Sequence, residues 1–102
     1  MLLSRLLIPL KIMEHALLSM KLIESLSICG NPNSVSDAGV AALCARSAVL
    51  GGYLNVMINA KDYTNQKEKD KLISKAETMK KRAMKKEAQI LKITLKTIKK
   101  SV

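Results

Sequence analysis

Between Lys11 and Gly51, glycine and proline stand together only once, in the run Gly30-Asn31-Pro32-Asn33-Ser34-Val35-Ser36-Asp37-Ala38-Gly39. A chain with so little other punctuation must turn there, and the turn divides it into an apolar helix before and a second helix after. Gly30 is suited to end the first helix and Pro32 to stop it resuming. Ser34 or Ser36 is expected to cap the second, because a short hydroxyl side chain accepts bonds from first-turn amides. Asp37, three residues after Ser34, imitates the acid of a capping box and would sit at the positive end of the helix dipole. That placement suits a cap and an anchor rather than a general acid or base. Asn31, Asn33 and Ser36 add donors and acceptors at a helix amino terminus, where anionic groups bind well; a plain helix-turn-helix connector would look the same.

The helix launched here carries a seam of small residues. Ala38, Ala41, Ala45, Ala48, Gly52, Asn55 and Asn59 recur at alternating spacings of three and four, which places them on one face. A face without bulk calls for close approach by another helix. Asn is a poor helix former and costly to bury unpaired, so Asn55 and Asn59 either face a ligand or satisfy backbone groups of a neighbouring helix. The Gly51-Gly52 pair costs about 2 kcal/mol of helix propensity relative to alanine. Such a pair is tolerated where a neighbouring backbone comes close or the helix bends.

The remaining elements follow from periodicity. The first helix is expected over residues 9–28, entered at Pro9, which is comfortable in a first turn, with Met13, Ala16, Leu17, Met20, Ile23 and Leu26 as its apolar face. Residues 2–8 form a separate arm in this reading, and His15 is a boundary residue with no chemical task. The second helix runs over 36–60. After a short loop, Asn65 and Glu68 make a cap and reciprocal acid for a third helix over 65–99. Leu72, Ala76, Met79 and Ala83 give that helix one apolar stripe, and Ala88, Leu91, Leu95 and Ile98 a second, shifted by about one residue. No stretch alternates apolar and polar residues as a strand would. The chain therefore reads as all-α: three helices of an antiparallel helical bundle.

The run GNPNSVSDAGVAAL, continued by GGYLNVMIN and preceded by Ile8-Pro9-Leu10, resembles the cyclodeaminase/cyclohydrolase domain of one-carbon folate metabolism. Relatives include the C-terminal domain of formimidoyltransferase-cyclodeaminase and the methenyltetrahydrofolate cyclohydrolases. The likeness covers about residues 6–63, and the basic tail only in its helical character. Family domains run to about twice this length, so the 102 residues are expected to be a single partial domain, the C-terminal half. The family's first half, which holds the acid assigned as catalytic base, has no counterpart here.

The resemblance implies a tetrahydrofolate derivative as substrate, with or without a polyglutamate tail, and the forming or opening of its methenyl bridge. It implies no permanently bound cofactor and a homodimer. Asn31, Asn33, Ser36, Asp37, Asn55 and Asn59 are the candidate binding or site-lining residues; no catalytic residue carries over, and activity alone is expected to be weak or absent. Self-association or the missing N-terminal half would complete the bundle.

Charge and cysteine usage bound the alternatives. Of a net charge of +10, residues 1–60 contribute +1 and residues 61–102 contribute +9, so a basic C-terminal helix follows an apolar helix-turn-helix. No aromatic residues interleave the lysines and several acids break up their field, which argues against nucleic acid. A solvated face is the simpler reading, and steering of acidic substrate tails a further one. Cys29 and Cys44 lack ligand spacing, and His15 cannot complete a zinc site with them; free thiols and a cytoplasmic address follow. Charges at Arg5, Lys11, Glu14 and Lys21 interrupt the apolar amino terminus, so no membrane span and no membrane partner are expected. The competing reading is a small basic helical binding or structural protein without catalysis.

Overall fold

The computed structural model describes the backbone of residues 2–29 and 31–101 and the side chains of residues 5–29 and 31–100. Three helices fill the described chain: α1, Leu2–Cys29; α2, Pro32–Ala60; α3, Gln66–Ser101. Among the described residues there is no strand. Short connections make α1/α2 and α2/α3 antiparallel, which leaves α3 running beside α1 in the same direction. The pairs Met13–Gly52 and Arg5–Asn59 fix the first register. Tyr53–Glu77, Arg46–Glu87 and Val35–Thr94 fix the second. Glu14–Lys75 and Glu24–Lys86 tie the parallel pair.

The helix starts differ from expectation in two places. Pro9 does not open α1; it lies in the eighth residue of a helix that begins at Leu2, so residues 2–8 are not a separate arm. The cap of α2 is Asn31, not Ser34 or Ser36. Its extended backbone places the side-chain oxygen to accept from the Ser34 amide at 3.0 Å, and Pro32 takes the first helical position, where its missing N–H costs nothing. Asp37 is consequently the sixth residue of α2, exposed and beyond the first turn, and caps nothing. The expected role of Gly30 lies outside the described residues. Asn65 does cap α3, accepting from the Glu68 amide at 3.1 Å.

The core is aliphatic, as a chain without Phe or Trp requires. Leu6, Leu10, Met13 and Met20 of α1 meet Ala45, Val49, Val56 and Ala60 of α2 and Ala76, Met79 and Ala83 of α3. The buried line of α2 passes through Val35, Ala38, Ala42, Ala45, Val49, Gly52 and Val56. It shares only Ala38, Ala45 and Gly52 with the expected seam; Ala48 and Asn55 are exposed and Ala41 is half-buried. Turning the valines inward removes more apolar surface from water than burying alanines would. On α3 the stripe does not shift: Ala76, Ala83 and Ile90 repeat at seven residues with Thr94 beyond. Ala88 and Leu95 are exposed, and Leu26 of α1 is exposed as well.

Two glycines of α2 admit close contacts. A Cβ on Gly52 would stand 2.6 Å from Met13 Cγ and 3.1 Å from the Pro9 carbonyl oxygen; one on Gly39 would stand 2.9 Å from Thr94 Cγ2. Thr94 is buried there and donates its hydroxyl to the Val35 carbonyl at 3.3 Å.

Candidate functional site

The six candidate residues fall into two groups at opposite ends of α2. Asn31, Asn33 and Asp37 are exposed and Ser36 half-buried at its start; Asn55 is exposed and Asn59 half-buried near its end. Eighteen residues separate Asp37 from Asn55, about 27 Å of helix, so one small ligand cannot touch both groups within one chain.

Asn59 has a structural task. Pro9 has no N–H, so the Arg5 carbonyl loses its donor four residues on. Asn59 Nδ2 reaches that oxygen at 3.4 Å and also donates to the Asn55 carbonyl at 2.8 Å. Among the described residues Asn55 has no comparable cross-helix bond, so of the two amides it is the one left to face solvent or a ligand.

At the other end a hollow of about 330 Å³ opens between α1 and α2, lined by Ile23, Leu26, Ser34, Asp37, Ala38 and Ala41. It brings Asp37 against apolar walls, while the amides of Asn31 and Asn33 do not line it. A larger hollow of about 510 Å³ lies between α1 and α3, over Leu17, Leu18 and Met79, with Glu14, Lys21, Lys75 and Arg82 around it. None of the six candidates lines the larger one.

Sequence reasoning missed the ionisable clusters that lock α3 in place, because partners 24 to 62 residues apart carry no local signal. Tyr53 donates to Glu77, Lys80 pairs with the same carboxylate at 3.3 Å, and its ammonium stands 4.4 Å from the Tyr53 ring centre. The Tyr53 hydrogen bond, reinforced by Lys80, holds the Glu77 carboxyl below its ordinary range; the same bond pushes the phenol up. Desolvation, with Glu68 nearby, raises Tyr63. Lys75, 2.6 Å from Glu14, lowers that carboxyl by its hydrogen bond and then by its charge. Arg46 Nε is 3.2 Å from Glu87 Oε2, a charge contact whose angle falls short of a hydrogen bond. These groups brace helices and, among the described residues, leave no acid–base pair beside the candidates. Among the described residues no three His, Cys, Asp or Glu side chains converge as a metal site would need.

Against the expectation of no membrane span, α2 is long and apolar enough to cross a membrane by length and composition. A core helix passes the same test, and α2 presents its valine line to α1 and α3.

Fold and residues together define an all-α bundle unit whose middle helix is short of bulk and carries amides at both ends. Residues 1–78 match the formiminotransferase-cyclodeaminase family, and the chain belongs to it. The match takes in α1, α2 and the first third of α3, as expected of a C-terminal domain of that family. Formimidoyltransferase-cyclodeaminase of Rattus norvegicus is 39% identical over 64 residues, 63% of this chain and 12% of the relative, and that of Mus musculus gives the same values. The Sus scrofa protein of that name is 38% identical over 58 residues, covering 57% of this chain and 11% of the relative. The chain thus spans only about an eighth of the length of the curated relatives it matches.

Proposed function

We propose that this chain is part of a folate one-carbon enzyme of the cyclodeaminase or methenyltetrahydrofolate cyclohydrolase type, weak or inactive alone. The observation that carries the reading is the family match over residues 1–78, which contains both groups of candidate amides. The substrate is a tetrahydrofolate derivative whose methenyl bridge is formed by addition of an amine with loss of the displaced nitrogen, or opened by addition of water with cleavage of one bridge C–N bond. This chemistry is proton transfer and addition, and it calls for no resident cofactor. Asn31, Asn33, Ser36 and Asp37 contribute at one end of α2 and Asn55 at the other. Because the two groups stand about 27 Å or more apart, each lines a site completed by other chain.

Features of the same geometry support weak activity alone. Glu14, Glu24, Glu77 and Glu87 are occupied in ion pairs, and carboxamides neither take up nor release a proton at neutral pH. A missing general acid or base costs roughly 10²–10⁴ in rate. The exposed lysines of α3 steer an acidic substrate tail. The chain works as a homodimer in a reducing, cytoplasmic setting; the exposed thiols of Cys29 and Cys44 support the setting. Placing α2 in a bundle rather than a membrane is supported by the Arg46–Glu87 pair on its flank.

The test is the loss of methenyl absorbance with the chain alone, then with the remainder of a relative's cyclodeaminase domain supplied in trans. Folate binding with little turnover alone, and turnover on mixing, is expected. Rapid turnover by the chain alone, or no folate binding in either mixture, overturns the proposal.

A further inference from the structure

α1 and α2 each keep a stripe of residues turned away from α3. On α1 it starts at Arg5 and continues, at spacings of three and four, through the exposed Ile8 and Ile12, then His15 and the half-buried Ser19, to the exposed Leu22 and Leu26. On α2 it starts at Asp37 and passes Ala41, Cys44, Ala48, Asn55 and the exposed Ile58. The residues that meet α3 are others: Glu14 and Glu24 on α1, Gly39, Arg46 and Tyr53 on α2. The hollow shared by Leu26, Asp37 and Ala41 marks where the two stripes border one groove.

This face is largely apolar between its ends, its ionisable side chains there being His15, the Cys44 thiol and, at its border, the exposed Lys11. Leu22 is 71% exposed and Ile8 59%, and contiguous apolar surface of this kind marks an interaction site. Its two charges lie at opposite ends. Arg5 is level with Asn59, and Asp37 is level with Leu26. Neither has an ion-pair partner among the described residues, whereas Glu14, Glu24, Glu77 and Glu87 all do.

The molecule's elongated shape leaves surface for a partner. It measures 55 × 18 × 17 Å with a radius of gyration of 16.1 Å, against about 12.8 Å for a compact chain of this length. It exposes 6660 Å², where a monomer of 11.2 kDa exposes about 5,700 Å². The surplus is on the order of the ~800 Å² that each partner contributes to a standard interface.

We infer that the α1/α2 face is the docking surface for a second copy of this chain, packed antiparallel about a two-fold axis so that Arg5 of each copy meets Asp37 of the other. A two-fold interface is self-complementary. The antiparallel arrangement brings each basic end to an acidic end, and the parallel one brings like ends together. The axis then passes at the level of His15 and Ala48, midway between the charges, where the small side chain lets the two α2 helices approach. The inference rests on the self-association proposed above and adds its surface and register.

Sedimentation velocity over a concentration series tests it with the full chain, its Arg5→Asp and Asp37→Arg variants, and the double variant. Each single reversal is expected to weaken the dimer about tenfold, and the double variant to recover it. Both positions are exposed, and helicity by circular dichroism verifies each fold. Independently, Ala48→Cys in a Cys29→Ser/Cys44→Ser background is expected to form an intermolecular disulfide on oxidation, and Ile58→Cys in that background is not. Cross-linking at Ile58 but not Ala48 overturns the register. A monomer at every concentration removes both the self-association and this interface. A dimer indifferent to the charge reversals and not linked through Ala48 removes this interface alone.

Discussion

Asn59 supplies to Arg5 the hydrogen bond that Pro9 takes away: its Nδ2 lies 3.4 Å from the Arg5 carbonyl oxygen. A proline inside a helix frees the carbonyl four residues back and costs about 3 kcal/mol. Here the freed oxygen finds a donor on the next helix, and the Pro9 carbonyl lies where a glycine, Gly52, leaves room for it. Three residues far apart in sequence thus let α1 run unbroken from Leu2.

The pairing makes Asn59 and Pro9 energetically coupled. Asn59→Ala is expected to cost about 1 kcal/mol in urea unfolding, the value of one such bond. In a Pro9→Ala background the backbone amide returns to the Arg5 carbonyl, and the same substitution should cost much less. Equal costs in both backgrounds would mean that the Asn59 bond contributes nothing.

The adjacent glycines of α2 should respond oppositely to alanine. Nothing lies within 4 Å of a Cβ on Gly51, so Gly51→Ala is expected to raise stability by up to about 1 kcal/mol through helix propensity. At Gly52 the flexible Met13 can move but the Pro9 carbonyl, 3.1 Å away, is backbone. Gly52→Ala is expected to cost about 1–3 kcal/mol net. Thermal midpoints of the two variants, moving in opposite directions, check this.

The three helices and the break between the first two were legible because breakers and 3.6-residue periodicity are local signals. The face of α2 was not. Its small residues and its valines make overlapping stripes offset by one position, and spacing alone does not say which turns inward. Burying Val49 and Val56 wins because larger side chains gain more on leaving water. The same ambiguity left Thr94 unnoticed and credited Leu95 with a core position. Asn31 was passed over as a cap because Ser34 and Ser36 are equally good caps by type; Pro32, fixed in φ and suited to the first helical turn, decides among them. Of the candidate site, the residue types could be picked out, but their separation along α2 is a matter of helix length, and the role of Asn59 depends on a carbonyl 54 residues away.

Cap assignment has a direct consequence. Asn31→Ala removes the acceptor of the Ser34 amide and is expected to destabilise the chain by about 1 kcal/mol. Ser36→Ala and Asp37→Ala should change the unfolding free energy by less than about 0.5 kcal/mol, as exposed or half-buried positions outside the first turn. A larger loss at Asp37 than at Asn31 would show that the helix begins later.

Acid should loosen the attachment of α3. Glu14 is held below its ordinary value by Lys75, and Glu77 by Tyr53 and then Lys80. A carboxyl with a depressed folded value contributes stability above its unfolded pKa and loses it as pH falls through the folded one. Thermal midpoints should therefore fall between about pH 5 and pH 2, and less steeply in Glu14→Gln and Glu77→Gln. Since Lys75 and Glu14 are 54% and 42% exposed, the Glu14 part should be small and should fade in high salt. A midpoint flat across that range would contradict both pairings.

Ala45 and Ala48, three residues apart on α2, provide the sharpest contrast between the inside of that helix and its outward stripe. Ala45 is 8% exposed in the core cluster, so Ala45→Leu forces three extra carbons between α1 and α2 and is expected to cost about 1–3 kcal/mol of folding stability. Ala48 is exposed on the stripe that turns from α3. Ala48→Leu should leave the unfolding free energy of the monomer within about 0.5 kcal/mol while weakening self-association, because the added bulk falls where two α2 helices are to approach. Measuring unfolding at a concentration below dimerisation, and sedimentation above it, separates the two effects. A leucine at position 48 that unfolds the monomer, or one at position 45 that does not, would put the alanine seam rather than the valine line against α1.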